Sequence, residues 1–252
     1  MRKAVLAEAV SGDWPTKALG ELLSEPLRNG HSAKRSSSGN IRVLTLRAVT
    51  LGDFGEQNTK LTAANDKRVA DLWIQPGDIF IERSNTPELV GTARLYRGAP
   101  NFAIFPDLLI RVRVAKLILP EYLEFFLQSD GARRYFQTEA KGISGTMPKI
   151  DQGCVAALRV PVPSLEIQSS IISDTQQRWS ILDSLAGTIG HSLTRSARLR
   201  RSILQQAFTG QLVAQDPNDE PASELLARIS ARLEETQTSR APRPRKTRAK
   251  AH

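Results

Sequence analysis

Asp78 and Glu82 bracket the apolar run Ile79 to Ile81, and two carboxylates close together are the raw material of a metal-dependent nuclease. The lysine such a site needs two residues beyond the second acid is missing, because the chain continues Arg83-Ser84. Structural roles are therefore expected for both acids. His31, His191 and His252 stand in unrelated segments and there is no HExxH, so the histidines suggest no metal cluster. The single cysteine, Cys154, rules out a disulfide framework and reads as a small buried thiol. No GxxxxGK[ST] loop occurs, and no GxGxxG follows a strand. Nothing pairs a nucleophile with a base, and no cofactor or metal is implied.

Three polar loops carry the chemistry that remains. NGHSAKRSSSGN (29–40) offers Lys34 and Arg35; IERSNTPELVGTARLYR (81–97) offers Arg83, Ser84, Asn85, Arg94 and Arg97. KGISGTMPK (141–149) offers Lys141, Ser144, Thr146 and Lys149. Arginine reads guanine edges in bidentate fashion, asparagine reads adenine, and Lys, Ser and Thr hold phosphates. The loops thus suit a nucleic-acid surface, with Lys34, Arg35, Arg83, Ser84, Asn85, Arg94, Lys141, Thr146 and Lys149 as its candidate contacts. Asn85-Thr86-Pro87-Glu88 differs from the Asn-Pro-Pro-aromatic motif of amino-methyltransferases: it lacks the second proline and the aromatic.

The elements that must carry these loops are strands and helices in irregular order. IRVLTLRAV (41–49) alternates at period two and predicts a strand. Pro76-Gly77 predicts a turn before a strand at Asp78 to Glu82. LLIRVRV (108–114) alternates apolar residues with arginine, so one face is buried and Arg111 and Arg113 share the other. From Leu119 the period becomes helical, with Pro120 in the first turn and Tyr122, Leu123, Phe126 and Leu127 on one stripe.

After the short strand Leu158 to Val162 and the prolines 161 and 163, the character changes abruptly. Ser164 with Glu166 and Gln168 predicts the start of a helix of some 40 residues, roughly 60 Å long. Set as a heptad, position a reads Ile172, Trp179, Ala186, Leu193 and Arg200, and position d reads Thr175, Leu182, Ile189, Ser196 and Ile203. Gly187 and Gly190 weaken it midway, by about 1 kcal/mol each relative to Ala. Such a stripe packs on a partner helix or on its own domain. The expected interface is Ile172, Trp179, Leu182, Ile189, Leu193, Ile203 and Phe208. Gly210 ends the helix, and ASELLARISARLEE predicts a second amphipathic helix able to return along the first as a hairpin.

The formal net charge is +9, but six basic residues lie in the last 13, leaving +3 for the rest. The tail RAPRPRKTRAK predicts a disordered cationic strip. No apolar run approaches the ~18 residues of a membrane span, and the N-terminal stretch is too short and too acidic for a signal peptide. The expectation is a cytoplasmic protein with no membrane partner.

The order of these segments resembles the specificity subunit of Type I restriction-modification systems. Trp14 with Leu19-Gly20-Glu21 is similar to the family's approach to a target recognition domain. GDIFIERSNTPELVGTA (77–93) resembles its Gly-Asp-strand-Arg-Ser segment and closing Val-Gly, and Gly145 to Ile150 followed by LRVPVPSLEIQSSII resembles its exit into a spacer helix. LRRSILQQAFTGQLV (199–213) is the most specific match, to the run that ends the spacer. The resemblance implies an α+β fold: an N-terminal extension (1–13), a DNA target recognition domain (14–163), a coiled-coil spacer with a return helix (164–235), and a basic tail (236–252). It implies no catalysis in this chain. Its partners would be double-stranded DNA, a methyltransferase subunit and a restriction (translocase-nuclease) subunit. Family members usually carry two recognition domains and two spacers, whereas this chain has one of each, which implies either a half-length subunit that self-associates through its spacer helices or a truncated or split fragment. The alternatives are the recognition subunit of a combined restriction-methylation enzyme, or a coiled-coil scaffold with a protein-binding domain.

Overall fold

The computed structural model describes residues 2–32, 34–64, 66–141, 147–213, 218 and 220–238. Packing divides the chain into two units, Met1–Ala186 and Gly187–His252. In chain order the elements are α1 (Arg2–Ala9), β1 (Thr16–Ala18), β2 (Arg28–Asn29), β3 (Ile41–Leu44), α2 (Leu46–Leu51), β4 (Thr59–Thr62), α3 (Asp66–Val69), β5 (Ile79–Glu82), β6 (Ala93–Leu95) and β7 (Leu109–Val112). Then follow α4 (Pro120–Gln128), α5 (Asp130–Glu139), α6 (Gln152–Ala157), β8 (Arg159–Pro161), α7 (Leu165–Phe208) and α8 (Ala222–Thr238).

A four-stranded antiparallel sheet, ordered β2-β7-β5-β6, organises the first unit. Side chains alternate across it. Ile79, Ile81, Ala93, Leu95, Ile110 and Val112 enter one core with Tyr122 and Leu123 of α4 and Phe136 of α5. Phe80 and Leu109 enter a second core with Val43, Leu44, Val49, Ile74 and Phe105. Both faces of the sheet are therefore covered. Two-stranded ladders flank it, β3 with β4 and β1 with β8.

The alternation that predicted a strand over 41–49 holds only as far as Leu44. There Thr45 donates its hydroxyl to the Asn58 carbonyl at 2.8 Å, and the chain turns into α2. Pro76-Gly77 forms the predicted turn, closed by Asp78 N–H to the Gln75 carbonyl at 3.0 Å, with Gly77 at φ +93°. Gly91 also needs to be glycine: its φ is +75°, and an added Cβ would stand 2.5 Å from the Phe136 side chain. The helical stretch after Leu119 is two helices. Ser129 separates them and caps α5 by accepting from Ala132 N–H at 3.4 Å.

Arg111 and Arg113 do share a face, but not a solvated one. The Arg111 guanidinium is buried 5.4 Å from the Phe105 ring centroid, bonds Glu25 at 2.9 Å and donates to the Asp71 carbonyl at 3.0 Å. Burial first, then neighbouring Arg113, lowers its pKa. Arg113 meets Asp78 at 2.5 Å. The sequence pattern marks the face but cannot show that a second core lies over it.

Helix α1, in the stretch expected to be an N-terminal extension, touches the first unit. Leu6 of α1 is buried, and Glu8 bonds Arg178 of α7 at 2.8 Å. The first turns of α7 also lie on this unit. Ile172 packs against the first core, Thr175 is buried, and Trp179 meets Phe125 edge-on with centroids 5.0 Å apart. Ile172 and Trp179, two of the residues assigned to a partner-helix seam, thus pack on their own domain, and Leu182 is half-buried. From Asp183 to Phe208 every residue of α7 is exposed, including Ile189, Leu193, Ile203 and Phe208. Helix α8, expected to return along the spacer, is present, with Leu225, Leu226, Ile229 and Leu233 exposed. The basic tail from 239 onward lies outside the described residues.

Candidate nucleic-acid interface

One edge of the four-stranded sheet gathers most of the polar loops. In the antiparallel register, β5 and β2 leave the sheet where β7 enters it. The chain after β5 is pinned from both sides: Arg83 N–H donates to the Leu108 carbonyl at 2.8 Å, and the Arg83 carbonyl accepts from Ile150 N–H at 2.9 Å. Ser84 faces Lys149 across an antiparallel bridge and is buried. Lys149 in turn exchanges both backbone bonds with Lys141, each 2.9 Å long. Arg83, Ser84, Lys141 and Lys149, 66 positions apart at the extremes, are thereby joined at one strand end. Arg83 is half-buried, and both lysines are exposed.

The two lysines thus bring like charges directly opposite each other at an exposed bridge. Lys34 and Arg35 are exposed on the 30–40 loop, which leaves β2 at the same edge. That loop is tied down by His31 N–H to the Phe105 carbonyl at 3.0 Å and by Gln152 donating to the Asn29 side chain at 3.0 Å. Asn29 and Gln152 have no sequence signal, since 123 positions separate them. Thr146, with Ser144, lies outside the described residues.

Two assigned residues are placed differently. Asn85 does not present an open amide. Its Nδ2 donates to Glu82 Oε2 at 2.6 Å and its Oδ1 accepts from Thr86 N–H at 2.8 Å, so each end already holds the loop. Arg94 lies on β6 opposite Phe80 of β5, its guanidinium donating to the Ala93 carbonyl at 3.0 Å. Burial lowers its pKa. Arg94 lines a groove of about 1030 Å³ with Arg97, Arg133, Glu88 and Glu124, where acids and bases nearly balance.

The carboxylates have the structural roles expected of them. Glu82 is buried and accepts from Thr50 Oγ1 at 2.5 Å as well as from Asn85; burial raises its pKa. Asp78 accepts Gln75 N–H at 2.8 Å and both bonds from Arg113. Four steps of extended chain put the backbones of the two acids about 13 Å apart, too far to share one metal ion. Among the described residues, no three His, Cys, Asp or Glu side chains gather to hold a metal. Cys154 is half-buried, and burial raises its pKa, the setting of an inert thiol.

Comparison with known proteins assigns this architecture. The chain is 29% identical over 254 residues to the EcoKI specificity subunit, a type I restriction enzyme component of Escherichia coli K12. It is 26% identical over 258 residues to the StySPI specificity subunit of Salmonella potsdam. The chain resembles the specificity subunits of type I restriction enzymes. Each match covers 91% of this chain and 54% of the relative, so the chain spans about half the length of the curated relatives it matches. The fold agrees. A chain solved in a study of complex assembly in the type I R-M system superposes with a TM-score of 0.62 at 18% identity, covering 84% of this chain and 51% of its own. The HsdS subunit from Thermoanaerobacter tengcongensis gives 0.56 at 19% identity, over 84% and 50%. No protein-family model matches the sequence. No described helix is long and apolar enough to cross a membrane.

Proposed function

We propose that this chain is a DNA-binding specificity subunit that directs partner methyltransferase and restriction subunits to a target sequence and performs no chemistry itself. The observation that carries the reading is the similarity to two type I specificity subunits along nine-tenths of the chain. The local geometry supports it: Arg83, Lys141 and Lys149 converge on one strand end, with Lys34 and Arg35 on the loop leaving the same edge. Lysines hold the phosphate backbone there, and arginine reads bases.

The chain carries one recognition domain and one spacer, and its exposed stripe over Ile189, Leu193, Ile203 and Phe208 suits a second copy. Two copies joined through this stripe offer two recognition domains related by a twofold axis, and a symmetric dimer reads a symmetric bipartite target. The test is co-expression with a type I methyltransferase subunit and genome-wide mapping of methylated adenines. A bipartite palindromic motif that disappears on deletion of this chain supports both readings. A motif with two unrelated halves on a homodimer refutes the symmetry, and the absence of any motif refutes the function.

A further inference from the structure

Gln168 lies in the first turn of α7 and is fully buried, which is uncommon for glutamine. Its Oε1 accepts from Leu119 N–H at 2.8 Å. Its Nε2 donates to the Pro163 carbonyl at 2.8 Å and the Leu117 carbonyl at 3.2 Å. Three of the four bonds an amide can make are thus used, both donors included. Leu119 is the N-cap of α4 and Pro163 immediately precedes the turn that starts α7. One side chain therefore satisfies backbone groups at the starts of two helices and joins them.

Apolar packing alone would leave the helix freer. Ile171, Ile172 and Trp179 hold α7 against its domain, but contacts of that kind tolerate a slide along the ridges. Hydrogen bonds are directional, and three on one buried amide admit a single axial position and roll. A methionine there would fill the space and satisfy none of the three backbone groups. A slide of one helical turn is about 5.4 Å, more than the ~3.4 Å rise of one base pair.

We infer that Gln168 is a positioning residue that fixes the register of the spacer helix on the recognition domain, and so fixes the number of base pairs between the two target halves. The second part rests on the proposed function; the first does not. Two measurements separate them. In the full chain with Cys154→Ser, spin labels at Gln137→Cys on α5 and Ser173→Cys on α7, both exposed positions, report the joint directly. The expected result is one narrow distance distribution, which broadens or splits in Gln168→Met. A broad distribution with Gln168 intact overturns the positioning role, whether or not the variant folds.

The second measurement maps adenine methylation in cells co-expressing the methyltransferase. Gln168→Met should keep the half-site bases and add a second spacing. Gln168→Glu, which keeps the acceptor but loses both donors, should do the same. Weaker methylation at one unchanged spacing marks plain destabilisation and overturns the inference. Absence of a motif for the unmodified chain refutes the proposed function, and the distance measurement still decides the joint.

Discussion

Trp179 of α7 stands edge-on to Phe125 of α4, with ring centroids 5.0 Å apart and planes at 67°. The heptad places this indole in a seam for another helix, yet the domain itself holds it. Trp179→Ala should destabilise the first unit by about 2 kcal/mol, less than a fully buried tryptophan because the side chain is half-exposed. Thermal denaturation followed by tryptophan-independent circular dichroism checks this. Trp179→Phe should recover most of the loss.

Farther along the same helix the expectation reverses. Ile189 and Leu193 are 60% and 66% exposed, so a charge there costs the isolated fold almost nothing. Leu193→Asp should leave the melting temperature within a degree or so while lowering self-association at least tenfold. Sedimentation velocity across a concentration series reads it. An unchanged dimer would remove this stripe from the interface.

Lys149 joins the edge through its backbone, since both bonds to Lys141 are main-chain bonds. Lys149→Ala should therefore fold normally. It should weaken binding to every DNA sequence alike and reduce the slope of log K against log salt by about 1. Titrations on target and scrambled duplexes at several salt concentrations test this; a loss confined to one sequence would make Lys149 a base reader instead.

Asn85 gives the opposite pattern. Asn85→Ala removes bonds to Glu82 and Thr86 N–H and should lower stability by about 1–2 kcal/mol. The methylated motif should keep its bases. A changed base preference would restore Asn85 as a reader.

Glu82 gives the fold a pH dependence of known sign. Burial raises its pKa above the ordinary 4.5, outweighing the bonds from Thr50 and Asn85 and the attraction of Arg133 and Arg94. The folded state then holds the proton more tightly than the unfolded chain. This contribution favours folding at low pH and is lost as pH rises from about 4.5 through the raised value. Glu82→Gln should flatten that part of the stability profile, measured by urea denaturation between pH 4 and 8. A profile with unchanged slope would show that the carboxylate stays ionised throughout.

What the sequence discloses follows the range of each interaction. Local devices are legible: Pro120 opening α4, the Pro76-Gly77 turn, and Ser164 before α7 each act within four residues. The alternation of Leu109, Arg111 and Arg113 reveals a strand and its two faces. It does not reveal that Phe105 and Glu25 cover the arginine face, because coverage is decided by residues far along the chain. The candidate interface shows the same division. Lys141 and Lys149 lie in one loop and are found together, whereas their pairing with Ser84 depends on a bridge over 65 positions. The bonds of Asn85 are hidden for a related reason, since sequence gives its amide and not the buried carboxylate that it meets. The heptad detects a stripe but cannot say what covers each part, and α7 uses its first turns inward and the remainder outward.

The sheet that carries the loops has a packed core on each face, and the loops emerge from strand ends rather than from either face. The exposed positions among them, Lys34, Arg35, Lys141 and Lys149, can thus be exchanged without disturbing a packed side chain, whereas Ser84, Val90 and Gly91 are held by the core. Stability rests on the buried positions and not on the exposed ones, so the exposed letters of these loops can be rewritten while the melting temperature stands still.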